Sequence, residues 1–251
     1  MREEIGQLLD LHLRKVLPKY LQGKVKVVRT AADLPQVGHQ MRDNSGTDGV
    51  YLPLTDELYL VADAFDSPER ALFVLAHELT HYGFRAKFGL DVQDELLDAR
   101  NNMVVKKLAD AIARDRGMTI ATVRRELSER TGLPIGQIGL RTAKYQLQVD
   151  TADEALAELN AAIERDDFGY LQDRYGVKVP SIMRNNRRVR LIRIVVVVKE
   201  WLAKRAGRAA DCYSDIQIWY LLAGVRKSVR DGGNRAGFWR FFRNSARTPM
   251  E

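Results

Sequence analysis

The pentapeptide His77-Glu78-Leu79-Thr80-His81 constrains this chain more than any other stretch. It lies in Ala71 to Arg85 (ALFVLAHELTHYGFR), and the residues leading into it, Leu72 to Ala76, are apolar throughout. Such a run, free of Pro and with no Gly before its polar part, predicts a helix packed into the body of the protein. Residues four apart on a helix differ by about 40° round the axis, so the imidazoles of His77 and His81 leave the same face one turn apart. Glu78 sits about 100° round from His77, beside the pair. Imidazoles held in an apolar setting around an acid need partners, and a single divalent ion serves them all. The chain has four histidines (His12, His39, His77, His81), and two of them fall at this spacing. Two nitrogen ligands, an open position and a carboxylate able to take a proton from water are the components of metal-assisted hydrolysis.

The flanks predict how this helix is mounted. Ser67 reads as its N-cap and Pro68 as its first residue. Before it, Gly49 to Ala64 reads as two strands joined by a turn at Thr55, Asp56 and Glu57, with Leu58, Tyr59, Leu60 and Val61 in the second. Lys24 to Arg29 (KVKVVR) reads as a further strand and residues 4 to 21 as an amphipathic helix closed by Pro18. A short helix is expected over Ala31 to Leu34, and a loop over residues 35 to 48 carries His39 as an ordinary loop histidine.

Beyond the motif, Gly83 predicts an early end or bend, and Gly89 a turn. Helices are expected over Val92 to Asp115, over Thr119 to Glu129, and over Asp150 to Glu164 with Thr151 as N-cap. The second of these belongs to a structural hairpin without a DNA-reading partner helix. Gly169 to Pro180 reads as a loop, followed by a basic helix over Asn186 to Arg205 and another over Asp211 to Arg230, before an aromatic, basic end. The expected class is α+β: a small mixed sheet with one site-bearing helix, then a mainly helical C-terminal part. Residues 1–48, 49–180 and 181–251 form its three parts.

Composition sets limits on function. At 251 residues, 45% hydrophobic and 29% charged, the chain buries a sizeable core as a soluble globular protein. The single Cys212 excludes an intramolecular disulfide framework and any ion site built on several cysteines. It accords with a cytoplasmic location, as does an N-terminus without a signal peptide's apolar stretch. Ile194 to Val198, bracketed by Arg193 and Lys199, is too short to span a bilayer, so no membrane contact is expected. From Ser181 onward sixteen Lys and Arg stand against five Asp and Glu, a surplus of +11 within a total of +7, which leaves −4 for residues 1–180. Residues 181–251 therefore suit either a solvated helical face or contact with nucleic acid or an acidic partner.

The HELTH residues and their surroundings resemble the zincin metallopeptidases. Val74, Leu75, Leu79, Thr80 and Tyr82 comply with the wider zincin pattern, and Gly83 departs from it. The metzincin branch is excluded, because Phe84 and Lys87 occupy the positions where it needs Gly and His. No histidine follows His81, so a third ligand is an acid or Cys212, and Asp94, Glu95 and Asp98 on the next helix are open choices beside Glu154. The order of elements from Gly49 to Glu164 is similar to the gluzincin-like metallopeptidase domains of polyvalent proteins from phages and conjugative elements. That resemblance implies Zn2+ held by His77, His81 and Glu154, with Asp153 as the other member of the acid pair. It also implies Glu78 as general base and a peptide or protein substrate. The strand Leu58 to Val61 would be the sheet edge that binds the substrate backbone. Tyr145, Tyr170, Tyr175 and Arg165 are available as oxyanion donors, and spacing selects none of them. The alternative is a mobile-element protein associated with nucleic acid through residues 181–251, its metal site structural or inactive.

Overall fold

The computed structural model describes residue 17 and residues 19–35, 47–52, 55–180, 183 and 213–231. Expectations for residues 4–16, for His39, for Asn186 to Arg205, for Cys212 and for the aromatic end lie outside them. The described chain is mixed α+β, with one small sheet and mostly helix.

A short helix α1 (Lys19–Gln22) leads into β1 (Val25–Val28), and β2 (Gly49–Leu52) and β3 (Glu57–Val61) form a hairpin. Asp56 adopts the left-handed conformation in its turn, with φ of 56°, a conformation acidic and amide side chains tolerate better than most. The Asp56 carboxylate accepts from the Tyr51 hydroxyl at 2.9 Å. Lys24, just before β1, and Lys26 on β1 form ion pairs with Asp56 and Glu57.

The sheet runs in the order β1-β3-β2, with β1 parallel and β2 antiparallel to β3. This corrects one expectation. The strand Leu58 to Val61 is central, its hydrogen-bonding edges taken by Val25 to Val28 and Gly49 to Leu52, so it has no free edge for a substrate backbone. Its alternation serves packing instead. Leu58 and Leu60 meet Ala71, Val74 and Leu75 of the following helix, while Tyr59 and Val61 pack with Leu34 and Leu52 on the other face.

Helix α2 (Pro68–Phe88) starts as expected, the Ser67 hydroxyl accepting from the Arg70 amide at 3.2 Å. It runs unbroken through Gly83 and ends at Gly89. Gly83 is instead a point of close approach, because a Cβ there would lie 2.6 Å from a Val225 methyl and 2.7 Å from one of Val229. The segment expected as one helix from Val92 is two, α3 (Val92–Arg100) and α4 (Met103–Asp115), because Asn102 caps a new start by accepting from the Val104 and Val105 amides. Helix α5 (Ile120–Thr131) follows, and α6 (Leu140–Arg165) is far longer than expected. Thr151 is inside α6 and not its cap, its hydroxyl donating to the Leu147 carbonyl at 2.7 Å, one turn back. The expected loop after Gly169 contains α7 (Phe168–Tyr175), and α8 (Asp215–Asp231) closes the described chain.

The main core gathers α2, α3, α4, α6, α7 and α8 around the middle of α6. Alanines at 152, 155, 157, 161 and 162 of α6 are fully buried, and such small residues let neighbouring helices approach closely. Ile218, Leu221, Leu222 and Val225 of α8 are 0% exposed in that same core. Among the described residues no helix is long and apolar enough to cross a membrane.

Candidate metal centre

Helix α2 brings His77 and His81 to one place by its own periodicity, and the face they share turns toward α6. His77 and Glu78 are each 8% exposed. The Nε2 atoms of His77 and His81 face each other at 3.2 Å. Glu154 on α6 reaches into the same space, with Oε2 at 3.3 Å from His77 Nε2 and Oε1 at 4.0 Å from His81 Nε2. One ligand atom from each of these three residues lies within 4.8 Å of the others, close enough to hold a metal ion.

The opposite side of each ring is supported by a further carboxylate of α6. His81 Nδ1 lies 3.0 Å from Asp153 Oδ2, and His77 Nδ1 lies 3.9 Å from Glu158 Oε1. A carboxylate behind Nδ1 keeps the proton there and leaves the Nε2 lone pair for an ion. Asp153 Oδ1 and Glu158 Oε2 are buried and have no hydrogen-bond partner among the described residues. Several buried acid oxygens around two imidazoles mark a place short of positive charge. The residues therefore fit a divalent ion. Nitrogen, nitrogen and carboxylate oxygen are donors that a divalent metal ion can accept.

The electrostatics follow from this crowding. Burial works against a charged His81, but the carboxylates of Asp153, Glu154 and Glu78 outweigh it and lift its pKa to about 10. Burial likewise opposes charge on Glu154, yet the hydrogen bond from His77 and the positive charges of His81 and Arg116 hold its carboxyl well below the usual range. Glu78 moves the other way, raised above all by burial and only partly restrained by the two imidazoles.

Strand β2 sets the position of Glu78. The Val61 amide donates to the Asp48 carbonyl at 2.9 Å, and Val50 pairs with Tyr59, so Asp48, Val50 and Leu52 spend their backbone groups on β3. Alternation then turns the backbone groups of Gly49 and Tyr51 outward. The Tyr51 amide is a donor to the Glu78 carboxylate. A Cβ at Gly49 would fall 2.7 Å from a Val74 methyl and 3.2 Å from Glu78 Cγ, so glycine lets the strand lie this close to α2.

Other expected residues take other places. Asp94 is exposed, and Glu95, buried on the same helix, accepts from the Tyr213 hydroxyl at 2.8 Å. Neither joins the His77, His81 and Glu154 group. The Tyr175 hydroxyl donates to Glu158 Oε1 at 3.1 Å, the Tyr170 hydroxyl accepts from Arg174 at 2.9 Å, and the Tyr145 hydroxyl faces Gln93. None of these tyrosines, nor Arg165, lines the cleft. Arg116, which no sequence signal selects, does, with Nη1 at 2.8 Å from Glu154 Oε2. Glu158 was visible in principle, being one turn beyond Glu154 on a helix.

The cleft has a volume of about 760 Å³ and is bounded by α2, β2, α6 and the end of α4. A buried chain of hydrogen bonds braces it from behind. Thr80 donates to the Ala76 carbonyl and accepts from Asn160 of α6, and Asn160 accepts from Arg226 of α8, each at 2.7 Å. No protein-family model, curated protein or solved structure matches this chain significantly.

Proposed function

We propose that the chain is a zinc-dependent metallopeptidase of zincin type. The observation that carries the reading is the convergence of His77, His81 and Glu154 on one point beside a buried Glu78. The expectation for Glu154 came from resemblance, whereas its distance to the two imidazoles does not depend on that resemblance.

Zinc held by these three residues would polarise a scissile carbonyl and make a neighbouring water more acidic. The chain's own groups divide the remaining work. Glu78, with its raised pKa, takes the proton from water and returns it to the leaving amine. Asp153 fixes the His81 ring and keeps its Nε2 atom directed inward, while Glu158 adds negative charge behind His77. Arg116, paired with Glu154 at the cleft, is a cation that could stabilise negative charge developing on a carbonyl oxygen bound there. The outward amide and carbonyl of Gly49 and the Tyr51 carbonyl would give an extended polypeptide a strand to pair with, the role first expected of Leu58 to Val61.

The rival reading, a nucleic-acid-associated protein with a structural ion, requires no general base. Glu78→Gln separates the two. The variant is expected to retain stoichiometric zinc by elemental analysis and to lose at least about a thousandfold in peptide hydrolysis. Full turnover in that variant would remove Glu78 from its role, and a zinc-loaded wild type that cleaves no peptide in a diverse library would remove the peptidase reading.

A further inference from the structure

The deepest ionisable groups of the cleft are acids and the most exposed are arginines. Glu78 is 8% exposed and the side chains of Glu158 and Glu154 are 6% and 23% exposed, while Asp48 and Asp153, at 28% and 29%, lie level with Arg70 at 29%. At the rim, the Arg116 and Arg174 side chains are 39% and 42% exposed and Arg85 is exposed. Arg70, Arg85, Arg116 and Arg174 all line this one opening, and no lysine does. Residues 1–180, to which all four belong, carry a net charge of −4, so the arginines are a local feature and not part of a generally basic surface.

Each guanidinium has a distinct station. Arg85 continues the spacing of His77 and His81 by one more turn of α2, on the face that meets the cleft. Among the described residues no carboxylate pairs with it. Arg70 and Arg174 lie over the ring of Tyr170 at 5.7 and 5.9 Å, and are anchored by Asp48 at 2.5 Å and Asp115 at 3.0 Å. Arg116 leans on Glu154, an acid that an ion would also engage. Arg70, Arg116 and Arg174 are each paired with an acid, so among the described residues the charge at the opening not matched by a carboxylate is that of Arg85.

We infer that this cleft selects acidic polypeptide segments, with Arg85 of α2 and Arg174 of α7 reading Asp or Glu side chains along the bound backbone. The inference rests on the peptidase reading for the site and extends it to the class of substrate. A polypeptide is favoured over a nucleic acid because the outward amide and carbonyl of Gly49 and the Tyr51 carbonyl offer strand pairing, which nucleic acid cannot return. Guanidinium groups suit carboxylates through paired donors in a fixed fork.

The test uses the full chain loaded with zinc and carrying Glu78→Gln to halt turnover. Fluorescence anisotropy at low salt compares three probes of matched length: a Glu/Asp-rich peptide, its Lys/Arg-rich counterpart and a single-stranded oligonucleotide. The acidic peptide is expected to bind at least about tenfold tighter than the basic one, the preference shrinking as salt is added. Adding Arg85→Glu should cost the acidic peptide about fivefold, and Arg85→Glu with Arg174→Gln should abolish the preference. Should the double variant fail to fold, Arg85→Gln at its exposed position must by itself weaken acidic-peptide binding. Equal binding of both peptides, no binding by any probe, an unaffected Arg85 variant, or an oligonucleotide that displaces the acidic peptide would each overturn the inference. Wild type that cuts basic or neutral peptides faster than acidic ones would end the inference and leave the peptidase standing. An acidic peptide held by Arg85 but never cut by wild type would do the reverse.

Discussion

Helices α2 and α6 face each other across the same ion site, yet they are built in opposite ways. On α2 the functional groups are a local pattern: two rings one turn apart, with an acid beside the first, all fixed by helical geometry. On α6 the groups are polar residues set among fully buried alanines and leucines, and nothing local explains their burial. Asp153, Glu154 and Glu158 have meaning only because α2 passes in front of them. One helix carries the recognisable motif, and the other completes it through tertiary packing.

The sharpest way to break this comparison is to remove one ligand from each helix. His81→Ala and Glu154→Gln should each lower zinc affinity by at least about a hundredfold, measured by competition with a chromophoric chelator. If only the α2 variant loses zinc, α6 is not a ligand helix. Asp153→Asn should have a smaller effect, about tenfold, because it leaves all three ligands and withdraws only the support behind His81. Arg226→Met probes the brace that holds the helices together. It leaves the Asn160 carbonyl buried without its donor and is expected to destabilise the zinc-free protein by about 1–3 kcal/mol in chemical denaturation. Gly83→Ala tests the α2–α8 contact, where the added methyl must displace Val225 and Val229. A loss of about 1–3 kcal/mol is expected, and no loss would mean that α8 shifts freely.

The smallest effect concerns pH. Burial, aided by the charge of Asp153 and opposed by Gln146, pushes the Asp150 carboxyl from 3.8 up to about 6. The folded protein thus holds this proton more tightly than the unfolded chain. The group favours folding fully below about pH 4, and that contribution is lost as pH rises toward about 6. In zinc-free protein, Asp150→Asn should lessen the fall in the denaturation midpoint across that window, and an unchanged slope would count against a buried Asp150.

The same contrast explains what the sequence could reveal. The start of α2, the hairpin before it and the placement of His77, Glu78 and His81 follow from local rules, a cap and a turn followed by a helical period. The parallel pairing of β1 with β3 joins residues separated by a long connection, and no local signal announces it. That pairing makes β3 central and, among the described residues, puts β2 at the edge. The true start of α6 was hidden because Asp150 and Thr151 look like a cap, while the preceding turns of the helix pack against α5 through Ala143 and Val149 has already entered the main core. Gly83 looked like a terminator because glycine usually ends helices, and only the arrival of α8 shows the space it leaves. Arg116 has no motif at all, since its partner Glu154 belongs to another helix.

Gly49 has a consequence that reaches past packing. Because that residue lacks a side chain, strand β2 rests directly on the turn of α2 that carries Glu78, and the Tyr51 amide holds the carboxylate from the same strand. If the proposed peptidase reading holds, an extended chain aligned along β2 would be measured off against Glu78, as a sheet of paper is squared against a fence before the blade falls. Strand register, in steps of two residues, would then fix which bond lies beside that carboxylate.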